Sequence, residues 1–359
     1  MLSMRCCLTC YWIVHVNTDV MKIRYAAIEL PFIHPFTISK GTKTHQPTFV
    51  VELEWNGFKG VGEAPAISYY HIPVAKMIED LERERLMVER FALTDPERFW
   101  HFLHHLFPDN SFLVCALDMA GWDLMGKLRK MPLHRMWGLD MSSAPLTDYT
   151  IGLDTPENMA QKVRDLPWPL YKIKAGSEGD LDRLHAIRQE TNAPIRVDAN
   201  AGWTFEEAVK KIPAYQDAGV EFIEQPLAKD DLEGMKKLHA ISQVPLLADE
   251  SCVSEEDVKK CQGLFHGINI KLTKCGGITP ARRMLKQARA MGLTTMLGCM
   301  NESSIGTAAL VHLSPMADFL DAAGPLLLAE DTAIGLTYEF GKIQLSDKPG
   351  LGIDLQINL

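Results

Sequence analysis

A repeated alternation of short apolar strands and amphipathic helices after Pro145 constrains the fold more than any other feature. Eight segments rich in Val, Ile and Leu recur at a nearly constant interval, with a helix pattern between most of them. Eight such units, joined by right-handed crossovers, close into a parallel barrel. The segments are TDYTIGL, LYKIKA, PIRVDAN, VEFIEQP, PLLADES, GINIKLT, LTTMLGC and ADFLDAA. The pattern predicts an α/β fold with a (β/α)8, TIM-like barrel; an open doubly wound sheet is the alternative, although no G-x-G-x-x-G follows the first strand.

The residues before the barrel follow a different pattern. From Met21 to about Val61 the alternation predicts antiparallel strands with a turn at Asn56-Gly57. From about residue 74 to 138, apolar residues recur three and four apart, which is typical of helices. We therefore predict an N-terminal α+β domain over residues 21–140 and a barrel over residues 141–334. We further expect a C-terminal tail, residues 335–359, to pack back on the N-terminal domain.

Residues 1–20 do not fit this organisation. They contain one arginine and a short apolar run, but no small-x-small cleavage site follows and the run is too short to span a bilayer. Because Met21 begins an alternating strand, we predict that residues 1–20 are a non-native or disordered extension. A secretory signal peptide is the alternative.

Charge and cysteine usage limit the partners. The formal charge is -9 and there is no run of lysine or arginine, which argues against nucleic acid and against an anionic membrane surface. The Cys7-x-x-Cys10 motif lacks the second ligand pair of a zinc site, so reduced thiols are the simpler interpretation. We expect a cytoplasmic protein with a small-molecule substrate, and a homo-oligomer.

Five charged residues occupy equivalent places at or just after the carboxyl ends of successive predicted strands. Their separations are 24, 26, 25 and 22 residues, and they are Lys174, Asp198, Glu224, Asp249 and Lys271. Active sites of parallel barrels lie at this end of the strands. The spacing therefore predicts that five charges converge on one site.

Three converging carboxylates repel one another, and a hard divalent cation with oxygen ligands relieves that repulsion. The predicted ligands Asp198, Glu224 and Asp249 suit Mg²⁺, with Mn²⁺ as a substitute. Polar residues one or two positions later are placed to orient them; these are Asn200, Gln225 and Glu250. The alternative is that the acids form ion pairs with the lysines and hold no metal.

Lysines beside a cation have their charged form disfavoured, which lowers the pKa and suits them to act as general bases. The cation can stabilise negative charge on a carboxylate when a proton leaves the adjacent carbon. Lys174 and Lys271 come from strands two and six, roughly opposite each other in an eight-stranded ring. One lysine can remove an α-proton while the other returns a proton to the opposite face, as in a racemase or epimerase.

The segments YKIKAG, RVDAN, IEQP, ADES and NIKLTKCGG resemble, in order and spacing, motifs of the enolase superfamily, muconate-lactonising subgroup. The resemblance covers essentially Met21 to Leu359. It implies that the N-terminal domain caps the barrel mouth and helps to select substrate. It also implies Mg²⁺ chemistry with a lysine base. In this scheme Lys174 and Lys271 are the acid/base pair, Lys172 is auxiliary, and Lys274 pairs with a ligand aspartate.

Within the subgroup, LGCMNESS and IKLTKCGGIT look most like dipeptide epimerases, which act on L-Ala-D/L-Glu and related dipeptides from peptidoglycan. Such enzymes carry a D-x-D that holds the dipeptide ammonium group. Here the matching stretch keeps Asp321 but has Ala323 in the second position. Further substrate-binding candidates are Lys43, Cys299 and Glu302.

Two other classes of function remain open from the sequence, one enzymatic and one not. A muconate-type cycloisomerase or an o-succinylbenzoate synthase uses the same charges on the same scaffold. A non-catalytic barrel that binds acidic ligands is the remaining alternative.

Overall fold

The computed structural model describes residues 20–39 and 41–359. Residues 1–19 of the predicted extension over residues 1–20, which include Cys7 and Cys10, lie outside the described residues.

The N-terminal domain begins with a three-stranded antiparallel sheet in the order β1-β2-β3. The strands are β1 (Lys22–Ile38), β2 (Gly41–Trp55) and β3 (Phe58–Pro65). Asn56 and Gly57 both have positive φ and form the predicted turn between β2 and β3. A 3-10 turn at Ser68–Tyr70 leads into the helices α1 (Val74–Glu89), α2 (Pro96–Leu106), α3 (Ser111–Leu128) and α4 (Leu133–Met136).

The barrel prediction is confirmed. Eight parallel strands lie in chain order, each paired with the next. They are β4 (Tyr149–Ile151), β5 (Tyr171–Lys174), β6 (Ile195–Asp198), β7 (Val220–Glu224), β8 (Leu246–Ala248), β9 (Gly267–Ile270), β10 (Thr294–Gly298) and β11 (Phe319–Asp321). A parallel bridge between Thr147 and Leu320 joins the two ends of this sheet, and the Asp148 N–H donates to the Leu320 carbonyl at 3.3 Å. The sheet therefore closes on itself.

Helices follow the first seven barrel strands. They are α5 (Pro156–Asp165), α6 (Asp180–Glu190), α7 (Phe205–Asp217), α8 (Leu232–Ile241), α9 (Glu255–Lys260), α10 (Leu272–Cys275), α11 (Ile278–Ala290) and α12 (Ser304–Leu313). After β11 the chain forms only a 3-10 turn, Gly324–Leu327. It then continues into β12 (Ala333–Ile334), β13 (Leu336–Glu339), β14 (Lys342–Leu345) and β15 (Asp354–Leu355). The eighth unit thus lacks a full helix.

Helix α3 lies between the N-terminal sheet and the barrel. Every residue from Phe112 to Gly126 is buried, as expected for a helix that is apolar on all sides. Asp118 and Asp123 are its buried acidic residues. Asp123 accepts the Val61 N–H and the Leu351 N–H, both at 2.8 Å, so it connects β3 with the C-terminal tail.

The C-terminal tail contacts both parts of the molecule. Pro132 and Gly350 form a parallel bridge beside α4, and the Leu133 N–H donates to the Gly350 carbonyl at 3.1 Å. On the barrel side, the Tyr338 hydroxyl donates to the Ala322 carbonyl at 2.8 Å. None of the helices in the described part of the chain is long and apolar enough to cross a membrane.

Candidate active site

A cavity of about 450 Å³ opens at the carboxyl ends of the barrel strands, beneath the N-terminal domain. This volume is in the range of small-molecule sites. Lys174, Asp249 and Lys271 line it from the barrel side. The N-terminal domain contributes an aromatic and aliphatic wall, consisting of Phe36, Ile38, Ile67, Tyr69 and Tyr70.

Three carboxylates converge at the base of this cavity. One oxygen each from Asp198, Glu224 and Asp249 lies within 4.8 Å of the others, and all three residues are buried. Their convergence follows from the fold, because β6 and β7 end at Asp198 and Glu224 and Asp249 directly follows β8. Parallel strands bring these three ends to the same rim.

Lys172 and Lys174 point to the same face of β5, as the two-residue period requires. The Lys172 Nζ is fully buried and lies 2.6 Å from Glu224 Oε2 and 2.8 Å from Asp321 Oδ2. The Lys174 Nζ donates to Asp198 Oδ2 at 2.7 Å. Lys172 therefore neutralises carboxylates below the cavity, whereas Lys174 reaches the cavity itself.

Lys271 and Lys274 both contact Asp249. The Lys271 Nζ donates to Asp249 Oδ2 at 2.7 Å, and the Lys274 Nζ donates to Asp249 Oδ1 at 2.6 Å. Lys274 also donates to the carbonyls of Asp249, Cys252 and Asn269 at 2.7 to 3.0 Å. Lys174 and Lys271 thus contact two different members of the carboxylate triad.

Polar neighbours hold these carboxylates in place. The Gln225 side-chain oxygen accepts the Asp249 N–H at 3.0 Å and the Ser251 N–H at 3.1 Å. Asn200 acts through its backbone, because its N–H donates to Asp198 Oδ1 at 2.9 Å while its side-chain Oδ1 has no hydrogen-bond partner among the described residues. Glu250 lines the cavity beside Asp249.

Asn269 is a site residue that the sequence reasoning missed. Its Nδ2 donates to Glu224 Oε1 at 2.7 Å. Asn269 lies two positions before Lys271, so the strand period places both on the same face of β9 and its extension. The two-residue period of the strand could therefore have identified Asn269 from the sequence.

Lysine charges dominate the ionisation of two of the acids. Burial acts to raise the pKa of Asp198, but Lys174 and Lys172 outweigh it and bring the pKa to about 2. At Asp249 burial is likewise outweighed, by Lys271 and Lys274, and the pKa lies well below its ordinary value. Burial and the neighbouring Asp198 charge raise the pKa of Glu224 to about 7.

The carboxylates in turn shift the pKa of Lys271. Burial alone would lower the pKa of Lys271, but Asp249 and Glu224 outweigh burial and raise it well above the ordinary value. The protein groups therefore favour the charged ammonium. The lowered pKa expected from the sequence is therefore not produced by the protein groups alone; a cation among the carboxylates would add to the lowering effect of burial.

Three of the four substrate-binding residues predicted from the sequence line the cavity, and one does not. Asp321, Cys299 and Lys43 line it, and the Lys43 Nζ donates to the Gln46 side-chain oxygen at 3.2 Å. Glu302 is buried but is not among the lining residues. Asp321 faces the cavity although its Oδ2 accepts from Lys172.

Ala323 also lines the cavity, so the position of the second aspartate of the D-x-D pattern presents a methyl group there.

The residues present fit a hard divalent cation. The triad offers only oxygen donors at close range, and Asn200, whose Oδ1 has no hydrogen-bond partner among the described residues, also lines the cavity. Oxygen-only ligation by carboxylates is typical of Mg²⁺ and Mn²⁺. Asp198 and Asp249 also form ion pairs with Lys174 and Lys271. These pairs keep the two carboxylates at the rim of the barrel, where a cation would bind.

Comparison with known proteins agrees with this architecture. The sequence-family model described as "Mandelate racemase / muconate lactonizing enzyme, N-terminal domain" matches residues 22–138. The family model described as "Enolase C-terminal domain-like" matches residues 155–358. An L-Ala-D/L-amino acid epimerase from Flavobacterium johnsoniae is 43% identical over 335 residues, which cover 93% of this chain and 100% of the relative.

Two solved structures show the same fold. The substrate-liganded L-Ala-D/L-Glu epimerase from Bacillus subtilis has a TM-score of 0.89 at 30% identity, covering 93% of this chain and 98% of that one. A dipeptide epimerase from Enterococcus faecalis, complexed with Mg and L-Leu-L-Tyr, has a TM-score of 0.88 at 30% identity, covering 93% and 99%. The chain therefore belongs to the enolase superfamily, in its mandelate racemase/muconate lactonizing enzyme family.

Proposed function

We propose that the protein is a Mg²⁺-dependent dipeptide epimerase that inverts the α-carbon of the C-terminal residue of dipeptides such as L-Ala-D/L-Glu. The observation that carries the proposal is the placement of Lys174 and Lys271 in one cavity, each against a different carboxylate of a buried triad. The names of the similar epimerases support it.

In this proposal Asp198, Glu224 and Asp249 hold the cation. A bound cation supplies positive charge opposite the negative charge that develops on the substrate carboxylate. Gln225 holds Asp249, Asn269 holds Glu224 and the Asn200 N–H holds Asp198, and these fixed positions keep that charge in place without reorganisation during the reaction.

The two lysines carry out the proton transfers. A neutral lysine on one face takes the α-proton to its Nζ, which leaves an enediolate, and the ammonium of the other lysine returns a proton to the opposite face of the same carbon. One proton is removed and one is added, so the configuration of the α-carbon inverts while the composition of the substrate stays the same. Lys172 offsets the buried charge of Glu224 and Asp321.

Substrate recognition involves both domains in this proposal. Asp321 faces the dipeptide ammonium group without the help of a second aspartate, since residue 323 is alanine. Lys43 attracts an acidic side chain of the substrate. Its partial burial lowers its pKa because the charged ammonium is disfavoured there, and a negatively charged partner would stabilise that ammonium. Cys299 contributes to the cavity wall, and the backbone of Glu302 lies against Gly324, another residue of that wall.

The cellular setting is a proposal as well. Peptides that join alanine to glutamate occur in peptidoglycan, so we place the protein in the recycling of such peptides in the cytoplasm. The free thiols of the described cysteines support a reducing compartment; they are Cys115, Cys252, Cys261, Cys275 and Cys299. A homo-oligomer stays a prediction, as do the domain boundaries at residues 140 and 334.

The proposal is tested by proton NMR in D₂O with L-Ala-L-Glu, a library of related dipeptides and Mg²⁺. We expect deuterium to enter the α-position of the C-terminal residue and the other diastereomer to form. Chelation of the metal should stop both processes, and added Mg²⁺ should restore them. Absence of exchange across the library would refute the proposed function, and full activity after chelation would refute its metal dependence.

A further inference from the structure

We propose that Asp118, in α3 of the N-terminal domain, is a positioning residue for Lys271. The inference rests on the proposed function, because it concerns one of the two lysines of that reaction. Asp118 does not touch the cavity. It acts through the turn that carries Lys271.

This turn runs from Lys271 through α10, Gly276 and Gly277 to Thr279, in the first turn of α11. Lys271 occupies the residue immediately before α10, at the near end of the turn. Thr279 lies at the far end, in the first turn of α11. Lys274 ties α10 to the barrel, and contacts at the far end add to the constraints on the position of this short helix, which Lys271 directly precedes.

The N-terminal domain holds the far end by direct hydrogen bonds. Asp118 Oδ2 accepts the Thr279 N–H at 3.0 Å, and Asp118 Oδ1 accepts the Thr279 hydroxyl at 2.7 Å. The Trp122 Nε1–H donates to the same Thr279 hydroxyl at 2.8 Å. The Trp100 Nε1–H donates to the Gly276 carbonyl at 2.8 Å. Three side chains from α2 and α3 thus fix both the carbonyl and the amide groups of this turn.

The packing around the carboxylate leaves little freedom. A Cβ atom at Gly277 would lie 2.3 Å from Asp118 Oδ2, and the φ of Gly277 is +126°. The carboxylate also faces the amide end of α11, where a negative charge is favoured. A fully buried carboxylate is costly unless it is well bonded, so its contacts specify one geometry.

Glu63 provides a matched comparison. It is also a fully buried carboxylate of the N-terminal domain, and its Oε1 accepts the Ser303 N–H at 2.7 Å at the start of α12. Its Oε2 accepts the Ser303 hydroxyl. Glu63 therefore docks the same two domains, but on the turn after β10 and not on the turn that carries Lys271.

The experiment measures α-proton exchange in D₂O from each diastereomer of a substrate dipeptide separately. The variant Lys271→Ala first identifies the diastereomer whose exchange needs Lys271. In Asp118→Asn we expect exchange from that diastereomer to fall about tenfold or more, since small displacements of a reacting group cost that much, while the other diastereomer changes far less. Thr279→Val removes the hydroxyl contact at similar volume and should bias exchange in the same direction.

Glu63→Gln is the control and should affect the two diastereomers alike. Equal losses in Asp118→Asn, or the same bias in Glu63→Gln, would show a general effect of domain docking and would overturn the inference. Unchanged exchange in both Asp118→Asn and Thr279→Val would overturn it too. Thermal unfolding of each variant identifies losses due to misfolding, which fall on both diastereomers. If the wild-type protein exchanges neither diastereomer, the proposed function fails and the inference fails with it.

Discussion

The two lysines of the candidate site are held by different parts of the molecule. The loop after Lys174 is held within the barrel, because Asp180 at the start of α6 accepts the N–H groups of Gly176 and Ser177 at 3.2 Å. The turn after Lys271 is held within the barrel by Lys274 and, in addition, across the domain interface by α2 and α3. One half of the site is therefore organised by the barrel alone, whereas the other half also depends on the N-terminal domain.

The surroundings of the two loops explain this difference. Asp180 also accepts the Trp203 Nε1–H at 2.8 Å and pairs with Lys211 of α7 at 2.8 Å, so the next unit of the barrel supplies both of these partners. The turn from Lys271 to Thr279 is buried throughout and faces α3. Its polar groups are removed from water; backbone bonds within the turn satisfy several of them, and side chains of the facing helices satisfy the Gly276 carbonyl and the Thr279 N–H.

The strongest test of the comparison removes each lysine in turn. Lys174→Ala and Lys271→Ala should both abolish epimerisation, because inversion needs both faces. Each variant should retain α-proton exchange from one diastereomer only, and the two variants should retain opposite ones. Proton NMR in D₂O measures both quantities. Normal turnover in either variant would rule out the two-base scheme.

Glycines beside each lysine offer a second, smaller test. A Cβ at Gly176 would lie 2.2 Å from the Ala199 carbonyl oxygen, and one at Gly277 would lie 2.3 Å from Asp118 Oδ2; both glycines have positive φ. We expect Gly176→Ala to slow exchange by Lys174 and Gly277→Ala to slow exchange by Lys271. Each substitution should also destabilise the protein by about 1–3 kcal/mol.

The control for this pair is Gly219→Ala. Gly219 also has positive φ, but a Cβ there meets nothing within 4 Å. It should lower the free energy of unfolding without favouring either diastereomer. A bias in this control, or the same bias in Gly176→Ala and Gly277→Ala, would contradict the separation of the two halves.

A third and smaller effect concerns pH and the domain interface. His134 of α4 stacks on the buried His312 of α12, and the His134 N–H donates to His312 Nδ1 at 3.2 Å. Burial lowers the pKa of His312 to about 3. The unfolded chain therefore binds more protons than the folded one between about pH 6.5 and pH 3. Stability from this group is present above about pH 6.5 and is lost as the pH falls toward 3.

Urea unfolding of wild type and His312→Asn from pH 7.5 to pH 4.5 measures this contribution. The asparagine oxygen can accept the same N–H but does not titrate. We expect the free energy of unfolding to fall less steeply with decreasing pH in the variant. Parallel curves would show that His312 makes no contribution in this range.

Periodicity predicted the architecture well, because strands and helices impose different spacings on apolar residues. The eight barrel strands and the helices at Val74, Pro96 and Ser111 follow directly from that spacing. The missing eighth helix was not evident, since the apolar run after Asp321 is also compatible with a short turn. The shared rim of Asp198, Glu224 and Asp249 was predictable once the barrel was assumed.

Contacts between distant segments were not predictable in this way. Asp118 and Thr279 are 161 positions apart, and each alone reads as an ordinary helix residue. Asn269 was accessible by strand period, but its bond to Glu224 depends on how β7 and β9 lie within the closed barrel.

The sequence by itself determined the barrel, the order of the charges around its rim and their alternation along each strand, because these follow from local backbone geometry repeated along the chain. Only the tertiary structure decided how Lys174 and Lys271 are supported. Burial removes water from the turn after Lys271, so the Gly276 carbonyl and the Thr279 N–H, at its far end, bond to side chains of the docked N-terminal domain. That choice depends on the packing of two domains and is recorded in no local pattern.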